Sequence, residues 1–151
     1  AMDYVESGGL APCYTRGQGV IALGDDFEYV TGDGLPVPRG PYSPAVVKGE
    51  MVFVSGLLAL RPDGTMVSGD IREEAMIVLR NLDKLLVSAG SGLGGVLSVT
   101  VYLDDIADLP AFNEVYEEYF KPPYPSRSAV GVSLPRPFKI QLSAIAAVAQ
   151  G

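Results

Sequence analysis

The run Lys139-Ile-Gln-Leu-Ser-Ala-Ile-Ala-Ala-Val148 does most to limit what this chain can fold into. Polar Lys139, Gln141 and Ser143 alternate with Ile140, Leu142 and Ala144, and beyond Ser143 every side chain is apolar. Alternation with a period of two marks a strand with one buried face, and the apolar remainder demands cover on both faces. Ahead of it, Ser128-Ala-Val-Gly-Val132 supplies small and β-branched residues for another strand. Leu134-Pro-Arg-Pro137 separates the two, because two prolines cannot sit in a central ladder. Arg127 opens the earlier strand beside Ser128. A guanidinium at a strand mouth can form the floor of an anion-binding cleft, or it can be a surface arginine in a salt bridge. These residues leave both readings open.

The remaining elements follow from pattern. Residues 1 to about 16 carry Gly8-Gly9 and Pro12 and no period, as in a draped arm. Residues 19–23 and 27–31 read as a hairpin about Gly24-Asp-Asp26, and residues 32–41 as a Gly/Pro linker. The division expected is therefore an N-terminal extension, residues 1–38, and a main domain, residues 39–151. Ala45–Lys48 and Met51–Ser55 form a second hairpin around Gly49-Glu50. Ile71, Ala75, Val78, Leu79, Leu82, Leu85 and Leu86 recur at helical spacing, with Asp70 as N-cap, Glu73 three residues on, and Gly90 as the stop. The spacing predicts a helix over about 71–89. Val96–Leu103 is a strand, and Asp108 and Pro110 open a second helix running to about Phe120. The order β-β-α-β-α-β-β implies an α+β two-layer domain, with two helices on one face of a mixed sheet. The other face lacks cover within the chain, and association with copies of itself is the simplest remedy.

Bulk properties remove whole classes of function. The chain has 151 residues, enough for one domain with a sizeable core. Its net charge of −7, with no basic block, argues against nucleic-acid or anionic-membrane partners. No apolar run approaches the roughly 20 residues that span a bilayer. No signal peptide is expected at the start, and the single cysteine, Cys13, fits a reducing cytoplasm. There is no histidine, so Ser-His, Cys-His and histidine-metal chemistries are excluded. Any chemistry must come from Arg, Tyr, Ser, Asn, Gln, carboxylates and backbone amides.

Gly40-Pro-Tyr-Ser-Pro-Ala45, Val52-Phe-Val-Ser-Gly56, Leu79-Arg-Asn-Leu-Asp-Lys-Leu-Leu86, Val99-Thr-Val-Tyr-Leu103, Phe112-Asn-Glu-Val-Tyr-Glu-Glu-Tyr-Phe120 and Pro125-Ser-Arg-Ser-Ala-Val-Gly-Val-Ser-Leu-Pro135 occur in that order. With Lys139-Ile-Gln-Leu-Ser-Ala-Ile-Ala146, they make residues 39–149 resemble the RidA (YjgF/YER057c/UK114) family, also called L-PSP endoribonuclease-like. The resemblance implies a chorismate-mutase-like homotrimer with clefts between subunits. It also implies hydrolysis of imines or enamines that carry a carboxylate, with no cofactor and no metal.

By the same resemblance, the carboxylate-binding arginine falls on Arg127, whose fork can hold a carboxylate by two charge-assisted bonds. The cleft tyrosine falls on Tyr42, the Ser-Gly pair on Ser55 and Gly56, and the helix asparagine on Asn113. Three positions depart from the pattern. Ala129 stands where typical deaminases carry cysteine, Gln141 where they carry the water-activating glutamate, and Leu57 where they carry glutamine. An amide can orient a water but cannot take its proton. Glu74, where members often carry glutamine, reads as a solvated or intersubunit helix residue. Asp25, Asp26, Glu28, Tyr29 and Asp33 in the extension either fold over a cleft or belong to a stabilising edge hairpin. The leading expectation is a deaminase-type hydrolase with shifted substrate choice. The alternatives are a metabolite-binding trimer without hydrolysis and an enzyme repurposed for condensation, cyclisation or isomerisation. Nuclease activity ranks last, since the acidic chain lacks a basic groove.

Overall fold

The computed structural model describes residues 20–23, 27–31 and 34–150. The expected arm at residues 1–16, Cys13, the turn at 24–26 and Asp33 lie outside them. Seven strands form one sheet: β1 (Val20–Leu23), β2 (Phe27–Val30), β3 (Ala45–Lys48), β4 (Met51–Leu57), β5 (Val96–Leu103), β6 (Ser126–Gly131) and β7 (Ile140–Ala147). Their order across the sheet is β1-β2-β3-β4-β7-β5-β6. Two helices, α1 (Ile71–Ser88) and α2 (Leu109–Tyr119), pack on one face. This is the α+β two-layer arrangement expected from the order of elements.

β5, α2 and β6 form a parallel crossover unit, and β7 enters antiparallel between β4 and β5. The two strands flanking the proline segment are therefore not neighbours. Both lie against β5. At the other end, β2 pairs with β3, and Val30 and Leu35 are buried in the common core. The hairpin of β1 and β2 thus continues the sheet.

α1 shows how the sequence writes its own boundaries. The Asp70 carboxylate accepts from the Glu73 N–H at 3.0 Å, a cap worth about 1 kcal/mol. Ile71, Ala75, Val78, Leu79, Leu82, Leu85 and Leu86 are all buried. They face Val52, Val54, Val99, Val101, Leu103, Ile140 and Leu142 of the sheet. Gly90 ends the helix at φ +78°, and the Gly90 and Ser91 N–H groups reach back to the Val87 and Leu86 carbonyls. α2 differs from expectation at its start. Asp108 makes no side-chain cap; Asp105 caps the preceding 3-10 turn, accepting from the Ala107 N–H at 2.9 Å. Arg72 and Glu114 pair across the two helices.

The second face of the sheet carries Phe53, Thr100, Val130, Gln141, Ser143 and Ile145, and Phe53 and Val130 are exposed there. The exposed Phe53 and Val130, set among polar Thr100, Gln141 and Ser143, are apolar surface that association would cover.

Glu74 corrects an expectation. It is fully buried, and its Oε2 accepts from the Lys139 N–H at 2.8 Å while Oε1 has no partner. The helix turn between Ile71 and Ala75 packs inward, so a polar residue there must find its partner inside. Burial raises the Glu74 pKa, against the lowering effects of the Lys139 N–H and charge, while Asp108 adds to the rise. A carboxyl with a raised folded-state pKa gives stability that is fully present below the ordinary glutamate range. That stability is lost as pH rises through the folded value. Glu74→Gln keeps an acceptor for Lys139 without the charge. Its melting temperature should gain on that of the wild-type protein as pH climbs from 4 towards 7, as followed by calorimetry. A constant difference across that range would contradict the assignment.

Candidate functional site

Arg127 lies on the edge strand β6, paired with Val99. Val99 is buried towards the helices, and in a parallel pair facing residues share a side. The guanidinium carbon accordingly sits 4.8 Å from the Tyr116 ring centroid and 5.7 Å from that of Phe112. Among the described residues, no carboxylate lies within ion-pair reach of it. The salt-bridge reading of Arg127 finds no partner among the described residues. Its charge is steadied by aromatic faces, for about 0.5–1 kcal/mol at an exposed site, and its donors remain available to an anion.

Tyr116 is the residue that sequence reasoning missed. Phe112, Tyr116 and Phe120 form a ladder along α2, with successive centroids 5.5 and 4.5 Å apart. The signal was present as aromatics at i and i+4, but it reads equally as core. Burial raises the pKa of the Tyr116 hydroxyl, which Arg127 opposes, and the hydroxyl has no hydrogen-bond partner. Asn113, next to Phe112, likewise holds a buried Oδ1 with no partner. Ala129 follows Arg127 by two residues on the same side of β6 and packs partly against the core. Arg127 and Ala129 thus share the side of β6 that faces α2, the helix that also carries Asn113.

The other expected residues gather elsewhere. The Ser55 hydroxyl donates to the Ser43 carbonyl at 2.6 Å, and its N–H donates to the Pro44 carbonyl at 2.9 Å. These bonds tie β4 to the segment bearing Tyr42, whose ring is half exposed. The ladder between β4 and β7 is interrupted between Val54 and Leu57, leaving Ser55 and Gly56 in the irregularity. A Cβ on Gly56 would come within 2.3 Å of Gln141 Nε2. The Gln141 side chain lies across the glycine, and a larger residue there would displace it. Gln141 pairs with Tyr102 on the open face of the sheet, away from the helices. A small cavity of about 60 Å³ borders Tyr42, Ser55, Gly56 and Leu57.

Arg127 and Gln141 are two strands apart across the sheet and three residues apart along it. At about 4.8 Å per strand and 3.3 Å per residue, their backbones are separated by roughly 14 Å. They also face opposite sides. In one chain the candidate residues therefore fall into two groups: Arg127 and Ala129 on the α2–β6 edge, and Tyr42, Ser55, Gly56 and Gln141 at the end of β4 and on β7. Among the described residues, no cluster of His, Cys, Asp or Glu could hold a metal, and no helix is long and apolar enough to cross a membrane.

Comparison with known proteins identifies the family. The family model described as Endoribonuclease L-PSP matches residues 34–148. A RutC family protein of Pyrococcus abyssi is 43% identical over 121 residues, covering 79% of this chain and 95% of its own. A human 2-iminobutanoate/2-iminopropanoate deaminase is 39% identical over 113 residues, covering 74% and 82%. The crystal structure of Escherichia coli TdcF with bound serine superposes with a TM-score of 0.71 at 34% identity, covering 77% of this chain and 94% of that one. The chain belongs to the endoribonuclease L-PSP family, whose curated relatives carry the RidA and RutC names.

Proposed function

We propose that this protein is a deaminase-type hydrolase of small imino or enamino carboxylates, working in clefts between the subunits of a homotrimer. The observation that carries the reading is the Arg127 guanidinium, stacked on Tyr116 and Phe112 with no carboxylate partner among the described residues. An arginine so held is a ready clamp for a substrate carboxylate. The human relative is named for imine deamination, and the TdcF structure holds serine, which bears a carboxylate. The separation of the two half-sites supports a cleft that a neighbouring copy completes, and the exposed apolar sheet face supports association.

In this reading Arg127 fixes the carboxylate and Asn113 offers its unpartnered Oδ1 to the amino or imino group. Gln141 of the neighbouring copy orients a water. The water oxygen bonds to the imine carbon while the imine nitrogen takes up the proton that the water loses. Collapse of the resulting carbinolamine breaks the C–N bond, leaving a 2-oxo carboxylate and ammonia. Gln141 cannot remove the proton itself, so hydrolysis is expected to be slower than with a carboxylate at that position. The same substitution favours a second reading, a metabolite-binding trimer that keeps the clamp without turnover.

A dehydratase that releases 2-aminoacrylate, coupled to keto-acid detection, separates the two. Acceleration over the uncatalysed release is expected; its absence would leave only the binding role. Gln141→Glu should raise the rate by about tenfold or more, within the range for an added general base. An unchanged or lower rate would contradict the assigned water position. Arg127→Ala should weaken pyruvate binding by about tenfold to a hundredfold in calorimetry, since charged hydrogen bonds are worth about 1.5–3 kcal/mol. Undiminished affinity would remove Arg127 from the site.

A further inference from the structure

A water that attacks an imine must shed a proton, and the Gln141 amide cannot take it. The register of β7 on β5 puts a phenol beside that amide, because Gln141 pairs with Tyr102. Opposed residues of an antiparallel pair share a side, with Cβ atoms about 4.5–5.5 Å apart. Val101 and Leu103, before and after Tyr102, are buried in the core, so the half-buried Tyr102 ring stands on the open face with Gln141. On its other flank Gln141 has Gly56, and its amide is drawn over that glycine. The amide and the ring thus border one strip of the sheet from opposite sides. Among the described residues, neither side chain has a hydrogen-bond partner. Further along the open face of β5 and β7, Ser98, Thr100, Ser143 and Ile145 offer only alcohols and an alkyl chain. The Asp104 carboxylate, two residues on from Tyr102, is turned to the Leu134 N–H at 3.1 Å. Beside Gln141, the Tyr102 phenol is therefore the group suited both to give and to take a proton.

We propose that Tyr102 is a further catalytic residue, which relays the proton that Gln141 cannot carry. Its phenol oxygen accepts a proton from the attacking water while its own proton passes to the imine nitrogen. The water oxygen bonds to the imine carbon, and the π pair of the C=N bond goes to the nitrogen that receives the proton. The phenol has exchanged one proton for another and ends as it began, with no phenolate left behind. Gln141 and Tyr102 come from the same copy, so the relay stands wherever the amide does. The inference rests on the hydrolase reading and on Gln141 as the residue that orients the water; the proton carrier is its own content.

Keto-acid release from dehydratase-generated 2-aminoacrylate tests it in four full-length proteins: the wild type, Tyr102→Phe, Gln141→Glu and the double variant. Tyr102→Phe keeps the ring and deletes the oxygen. The catalysed part of its rate should fall by about a hundredfold, the lower end of the range for a positioned acid or base. In the Gln141→Glu protein a carboxylate takes the water's proton itself, so the same deletion should cost less than about tenfold there; residues that share a task are not additive. A Tyr102→Phe rate equal to that of the wild type would overturn the relay and leave the clamp and the water position standing. An equal loss in both backgrounds would overturn it too, since the hydroxyl would then act apart from the water's proton. No acceleration by the wild-type protein would overturn the hydrolase reading and the relay together.

Discussion

Everything proposed for this protein depends on an arginine laid across two aromatic rings. The parallel pairing of β5 with β6 puts Arg127 level with buried Val99, on the side of the sheet where α2 lies. The guanidinium carbon then lies over the Tyr116 and Phe112 rings, 4.8 and 5.7 Å from their centroids. An ion pair would have neutralised the charge and occupied its donors. A ring neither neutralises nor accepts strongly, so the fork stays poised for a planar anion. The crossover helix is thus both the support of the sheet and the support of the charge.

The rest of the candidate site is built by backbone constraints. Ser55 spends its hydroxyl on the Ser43 carbonyl, which fixes the approach of Tyr42. Gly56 leaves room for Gln141 to lie across β4. The buried Glu74 carboxylate accepts from the Lys139 N–H and so fixes the entry to β7, two residues before Gln141. The two half-sites sit on opposite faces of one sheet, and no side-chain movement could bring them together across a separation of roughly 14 Å. The proposed site therefore takes its two halves from two copies.

Most of the architecture was legible in the sequence because each element carried its own punctuation. Asp70, the apolar positions from Ile71 to Leu86 and Gly90 defined α1, and the alternation from Lys139 defined β7. The placement of β7 between β4 and β5 was not legible, because the proline segment marks where a strand stops, not which strand it joins next. Asp108 has the position of a cap before α2, and spacing alone could not show that its side chain makes no capping bond while Asp105 caps the 3-10 turn ahead of it. Glu74 read as surface because a charged residue in a first helical turn usually is. Only the packing of α1 against the start of β7 put it inside. Arg127 and Gln141 were visible as residues, but their separation depends on register across three strands, which periodicity does not encode.

The central claim, a site shared between copies, can be tested by mixing two defective chains. Arg127→Ala removes the clamp, and Gly56→Ala displaces Gln141 from the opposite wall. Each variant alone should speed keto-acid release from dehydratase-generated 2-aminoacrylate poorly, the first for want of the clamp and the second because the water-orienting amide is displaced. Unfolding the two together in equal amounts and refolding them allows mixed trimers, in which about a quarter of shared sites pair an intact clamp with an intact wall. Recovery of about that fraction of the wild-type rate is the expected result. No recovery, from a mixture that has refolded and reassembled, would contradict the account.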